Sequence, residues 1–214
     1  MSTNDYCLIT KDKLEIYLSE LGNLINKKKA KGFYSEIVIV GGASILLNYG
    51  FRTMSVDIDC TDPCGILMND VIDVIAKKYS LPNNWINTDF IHSNSYSDKL
   101  SLYSQHFKTY GHGSLIVRTV KDEYLVAMKV VSGRKNKNDY FDIFGIINEC
   151  RQNGKLITIE MIETAIVNLY GSYEKVNMEA LDFAKSVINS SNPSDYSIIE
   201  KNEEQTASII VEKK

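Results

Sequence analysis

The 214 residues carry 24 Lys and Arg against 27 Asp and Glu, a formal net charge of −3, with 44% apolar and 24% charged residues. Such a chain can bury a core as one domain with an appended subdomain, and its charge gives no broad attraction to nucleic acid. No apolar run approaches the roughly 18 residues needed to cross a bilayer, and Met1 to Ile9 has neither a basic start nor a long apolar stretch, so a cytoplasmic protein without a membrane segment is expected.

Leu14, Tyr17, Leu18, Leu21, Leu24 and Ile25 recur at helical spacing and predict an N-terminal helix ending near Lys27 to Gly32. Ile37-Val38-Ile39-Val40, entered from Glu36, is a continuous apolar run of buried-strand length that stops at Gly41-Gly42. Ala43 to Tyr49 then reads as a short helix, with Gly50 as its stop. The paired glycines let the backbone approach a bound group closely, and the helix N-terminus behind them offers N–H groups to an anion such as phosphate. Taken alone, Gly-Gly is equally an ordinary tight turn.

Met54 to Cys60 follows as a strand. Side chains alternate along a strand, so Met54, Val56, Ile58 and Cys60 are expected on a core face, and Ser55, Asp57 and Asp59 on the opposite face. Two carboxylates on one face repel each other unless a cation lies between them, and a hard divalent ion suits that place. The alternative is a half-buried edge strand whose polar face is merely solvated. A cation site here, beside a phosphate site on the glycine turn, describes a place for a metal-chelated nucleoside triphosphate.

Ile66 to Lys78 is predicted as a second helix. Residues 79 to 99, with Pro82, Asn83 and Asn84, read as loop-rich and are expected to form a flexible cover for the substrate. Leu100 to Phe107 and Ser114 to Val120 read as strands of a hairpin around Gly111-His112-Gly113. From Glu123 the period is helical, over about 123 to 133, 139 to 152, 158 to 170 and 176 to 189. Ser190-Ser191-Asn192-Pro193-Ser194 opens a polar stretch expected to be a mobile tail. The organisation is therefore a core over 1–122, a helical subdomain over 123–189 and a tail over 190–214.

Lys129 lies among Leu125, Ala127, Met128 and Val131, so its ammonium must snorkel outward or meet an anion, either a nucleotide phosphate or Asp139 or Asp142. Asp139 and Asp142 are three apart and share a helix face. They serve either as cation-facing or base-providing groups, or as N-terminal charges that favour the helix dipole. Cys7, Cys60, Cys64 and Cys150 are irregularly spaced and read as reduced thiols. His92, His106 and His112 form neither a triad nor a metal-ligand spacing, which argues against a serine or zinc hydrolase. The basic clusters, Lys27-Lys28-Lys29 with Lys31 and Lys129 with Arg134, Lys135 and Lys137, read first as solvated faces or helix ends.

Gly41-Gly42-Ala43-Ser44, Arg52 and Ser55-Val56-Asp57-Ile58-Asp59 together resemble the first motif of the polymerase-beta-like nucleotidyltransferase superfamily. The nearest likeness is to bacterial abortive-infection proteins that act as toxins of toxin–antitoxin pairs, which carry G-G/S, then Arg, then Ser or Thr two residues before D-x-D. Glu123 to Arg134 resembles their lysine-bearing helix. Asn138-Asp139-Tyr140-Phe141-Asp142-Ile143 resembles the acidic helix that follows, written R/K-D-x-x-D, with Asn138 where a basic residue is usual. Trp85-Ile86-Asn87 after Leu81-Pro82 is similar to a segment between the two blocks. The likeness runs from about residue 36 to about 147.

The resemblance implies an α+β nucleotidyltransferase fold, a small mixed β-sheet flanked by helices with a helical C-terminal part. It implies a Mg²⁺-dependent enzyme that moves a nucleoside monophosphate from a nucleoside triphosphate to an RNA or protein hydroxyl, with an antitoxin protein as partner. By the same resemblance Gly41, Gly42, Ala43, Ser44, Arg52, Ser55 and Lys129 bind the nucleotide. Asp57 and Asp59 hold the metal and, with Lys129, Asp139 and Asp142, form the catalytic set. Relatives with a two-metal site carry a third carboxylate on a later strand; Leu115 to Val120 has no acid, and Asp89 and Asp98 fall in poorly patterned sequence. Two other readings stay open: an inactive nucleotide- or protein-binding module on the same fold, and a transferase acting on a small-molecule hydroxyl, as antibiotic nucleotidyltransferases do.

Overall fold

The computed structural model describes residues 8–28, 33–61, 66–134 and 138–190, and its contacts divide it into two units, Met1–Lys121 and Asp122–Lys214. In the first unit, helix α1 (Lys11–Lys28) buries Leu14, Tyr17, Leu18, Leu21 and Ile25 along one stripe, as the 3.6-residue period requires. Its polar side is tied down as well. Glu20 accepts bonds from Lys78 Nζ at 2.6 and 2.7 Å and from the Tyr79 hydroxyl, both at the end of α3 (Ile66–Tyr79).

Strands β1 (Ser35–Ile39), β4 (Ser104–Tyr110) and β5 (Leu115–Val120) form a mixed sheet in the order β1-β5-β4. β1 runs parallel to β5 from Ser35↔Leu115 to Ile39↔Thr119, and β4 runs antiparallel to β5 with a bulge between His106 and Lys108. Two-residue strands β2 (Ile58–Asp59) and β3 (Ile86–Asn87) pair in parallel, and an antiparallel bridge between Ile39 and Cys60 joins that pair to β1. Ile37, Ile39, Leu115, Val117, Ile58 and Cys60 share one core with the α1 stripe and with Val71 and Ile75 of α3. Pleating sends Asp59, between two core residues, to the opposite face.

Three sequence expectations are corrected here. Met54 and Val56 are not core residues but 42% and 47% exposed. The chain is a strand only over Ile58–Asp59; before it, Ser55 makes a single bridge to Ile9 and is itself buried, and Val56-Asp57 is a bend. Residues 79 to 99 are not a loose cover throughout. Trp85 is buried, donates its Nε1–H to Ile72 O at 3.3 Å and packs edge-on against Tyr17, which anchors β3. The hairpin is displaced along the chain: 100 to 103 is turn, closed by Leu102 and Tyr103 N–H bonds to Lys99 and Leu100, and the bulge lets β4 continue to Tyr110.

Among the described residues, the regular elements of the second unit are helices: α4 (Asp122–Ser132), α5 (Asp139–Gln152), α6 (Ile159–Tyr170) and α7 (Met178–Asn189). These lie within a residue or two of the periodic segments. Thr158 caps α6 by accepting from Met161 N–H, and Asn177 caps α7 by accepting from Ala180 N–H at 3.1 Å. α4 buries every residue from Tyr124 to Val131. The expected α+β class, a small mixed sheet with helices and a helical C-terminal part, is what the chain adopts. Apart from Ser190, the expected tail lies outside the described residues, as do Cys7, Cys64, Lys135 and Lys137. Among the described residues no helix is long and apolar enough to cross a membrane.

Candidate functional site

The turn from β1 into α2 (Gly41–Asn48) is built on two glycines with different reasons for being glycine. Val40 is extended, and Gly41 then takes φ +58°, a left-handed conformation that costs other residues energy. Gly42 leaves room for the Arg52 guanidinium: a β-carbon there would stand 2.7 Å from Arg52 Nη2 and 3.0 Å from Arg52 Cζ, so that the end of this flexible side chain would have to move. The acidic segment abuts the same turn. Val40 N–H donates to Asp59 O at 2.9 Å, and Asp59 Oδ2 lies 3.5 Å from where a Gly41 β-carbon would stand.

The structure therefore brings Gly41, Gly42, Arg52 and Asp59 together, with Asp57 two residues before Asp59 in the adjoining bend. Both aspartates are partly exposed. Helix α2 has no side-chain cap and no acid in its first turn, and the first N–H groups of any helix lack partners inside it. N–H groups of a kind that can bind an anion, and carboxylates of a kind that can ligate a hard cation, thus lie at or next to one turn. Ala43 and Ser44 are core side chains, and the Ser44 hydroxyl has no hydrogen-bond partner among the described residues.

Ser55 is also buried, and its hydroxyl donates to Asp57 O at 2.9 Å. Arg52 Nε donates to Met54 O at 3.2 Å, so the loop from α2 to β2 is braced by its own side chains. Ile9, which sequence reasoning did not single out, pairs with Ser55 through Ile9 N–H to Ser55 O at 2.8 Å and Ser55 N–H to Ile9 O at 2.9 Å. One apolar residue before a helix carries no signal of such a partner.

No acid faces Asp59 from the central strand. One step beyond the Ile39↔Thr119 pair, β5 carries Val120, fully buried, at the level of Val40. Among the described residues, no group of three or more His, Cys, Asp or Glu is placed to hold a metal ion.

In the helical unit the structure brings Lys129, Asp139 and Asp142 together. Lys129 Nζ lies 2.9 Å from Asp139 Oδ1 and 2.6 Å from Asp142 Oδ2, with the lysine side chain 8% exposed and both carboxylates fully buried. Arg134 adds its backbone N–H at 2.9 Å and its Nε at 3.1 Å, both to Asp139 Oδ2. Burial alone would raise the Asp139 carboxyl; the Lys129 charge and the bonds from Arg134 and Lys129 outweigh it and hold the group below the usual carboxylate range. Asn138 sits at φ +61°, a left-handed position that asparagine tolerates better than lysine or arginine, so its departure from the basic pattern has a backbone reason. A surface cavity of about 230 Å³ in this unit, lined by Glu123, Tyr124, Glu160, Met161 and Thr164, holds none of these residues.

The model of a family described as a nucleotidyltransferase of unknown function (DUF6036) matches residues 13–191. That span takes in both glycines, both aspartates of the acidic segment and the lysine cluster, and the chain belongs to this family. No curated protein and no solved structure matches it.

Proposed function

From that membership we propose that the protein is a Mg²⁺-dependent nucleotidyltransferase that moves a nucleoside monophosphate from a nucleoside triphosphate to an RNA or protein hydroxyl. The observation that carries the reading is the convergence of Asp59, Arg52 and the N-terminus of α2 on one glycine turn. The donor set suits magnesium, which keeps several waters and takes only one or two protein carboxylates, here Asp57 and Asp59. Bound there, the ion would neutralise triphosphate charge and the charge that builds up during transfer.

The chain's own groups would do the positioning. Gly41 and Gly42 let the backbone approach the phosphates, the N-terminus of α2 supplies donors, and the Arg52 fork pairs with phosphate oxygens. Held so, the α-phosphorus would be attacked by the acceptor hydroxyl oxygen, whose proton passes to solvent, while the bond from the α-phosphorus to the oxygen bridging to the β-phosphate breaks and pyrophosphate leaves with that oxygen. We assign Lys129, Asp139 and Asp142 a structural part, because each is buried and each charge is met by another. The resemblance of the acidic motif to abortive-infection proteins favours a toxin held in check by an antitoxin.

A second reading, a nucleotide-binding module without catalysis, is favoured by β5, which carries no carboxylate. Incubation with each α-labelled triphosphate, Mg²⁺ and either total RNA or protein lysate separates the two. Labelled acceptor with matching pyrophosphate release supports transfer, and its survival in an Asp57→Ala, Asp59→Ala variant refutes the site. Nucleotide binding with no release favours the second reading.

A further inference from the structure

We propose that Ser55 is a positioning residue for Asp57, and that its pairing with Ile9 straps the metal-binding bend to the body of the first unit; this rests on the reading of Asp57 as a metal ligand. The acidic segment is held firmly on its far side, where Ile58 N–H donates to Trp85 O and Cys60 N–H to Asn87 O, both at 2.9 Å. On its near side the two Ile9–Ser55 bonds hold it, and Ile9 is itself fully buried in the core shared with α1. Between these anchors lies the Val56-Asp57 bend, with Val56 turned to solvent.

The Ser55 hydroxyl spans that bend to the Asp57 carbonyl. Such a bond closes a short ring over two residues and fixes their dihedrals, and with them the direction in which the Asp57 carboxylate leaves the backbone. Magnesium demands near-ideal octahedral geometry, so an aspartate free to swing is a poorer ligand than one held still. Its hydroxyl bonded to the Asp57 carbonyl, Ser55 acts on the ion through Asp57.

The test is Mn²⁺ alone as the probe, titrated against loss of its free-ion paramagnetic resonance signal, with thermal unfolding in parallel. Ser55→Ala is expected to bind Mn²⁺ about tenfold more weakly and Ser55→Thr, which keeps the hydroxyl, within about twofold of the parent. All three should melt within a few degrees of one another. Parent-like Mn²⁺ binding by Ser55→Ala, alongside its loss in Asp57→Ala, overturns the positioning role and leaves the nucleotidyltransferase reading standing. Equal weakening in Ser55→Ala and Ser55→Thr also overturns it. Undiminished binding by the Asp57→Ala, Asp59→Ala variant, or none by the parent, overturns the reading itself.

Discussion

Replacing Lys129 by Met keeps the length and apolar stem of the side chain and removes an ammonium lying 2.9 Å from Asp139 and 2.6 Å from Asp142. Removing one partner of a buried ion pair typically costs 3–5 kcal/mol, because the charge left behind is buried and uncompensated. Asp139 keeps its two bonds from Arg134, which moves the expected loss to about 3 kcal/mol. For a chain of this length each kcal/mol shifts the melting midpoint by about 2–4 °C, so a fall of about 6–12 °C is expected. Circular dichroism at 222 nm, followed through heat and urea, reads it. Adding Asp139→Asn and Asp142→Asn to the same chain should recover part of the loss, since no carboxylate charge then lies stranded. A loss under about 1 kcal/mol, the worth of a surface pair, would refute the buried-cluster argument. If that small loss came with weakened nucleotide binding, Lys129 would return to the substrate-contacting residues.

The same cluster predicts an acid limb in the stability profile. The native Asp139 carboxyl is held below its usual range, so its contribution is complete above the unfolded value near 4 and drains as pH falls toward the lower folded value. Asp139→Asn should flatten the decline of the urea midpoint between about pH 5 and about pH 3; an unchanged slope would assign that decline to other groups. Gly42→Ala should separate binding from stability. The new methyl displaces only the end of the flexible Arg52 side chain, and the helix gains about 0.5–1 kcal/mol in propensity, so stability should stay within about 1 kcal/mol. Affinity for a fluorescent triphosphate should fall about tenfold, roughly the worth of one charge-assisted bond, and an unchanged affinity would remove Arg52 from the phosphate site.

Local patterns were enough to read the helices of the second unit and the glycine turn ahead of the acidic pair. Helical period and strand alternation are properties of neighbouring residues, and Gly41 needs glycine for a reason within its own backbone. The same logic failed at Met54 and Val56, where alternation presumes a strand. Among the described residues that stretch has one bridge, supplied by Ile9 from before α1. Trp85 shows the converse: a segment rich in turn formers is pinned by one indole filling the space beside Tyr17 and Ile72.

Sequence alone determined the succession of helices and the glycine turn followed by two aspartates, because each follows from spacing along the chain, while the α+β class was implied by the family resemblance. Tertiary structure alone decided which partners those residues have. Asp59 and Arg52 flank the glycines because β2 returns beside β1 and the intervening loop folds over α2. Lys129 is answered by Asp139 and Asp142 because α4 is buried along its length, and an ammonium there must meet a carboxylate within reach or remain uncompensated.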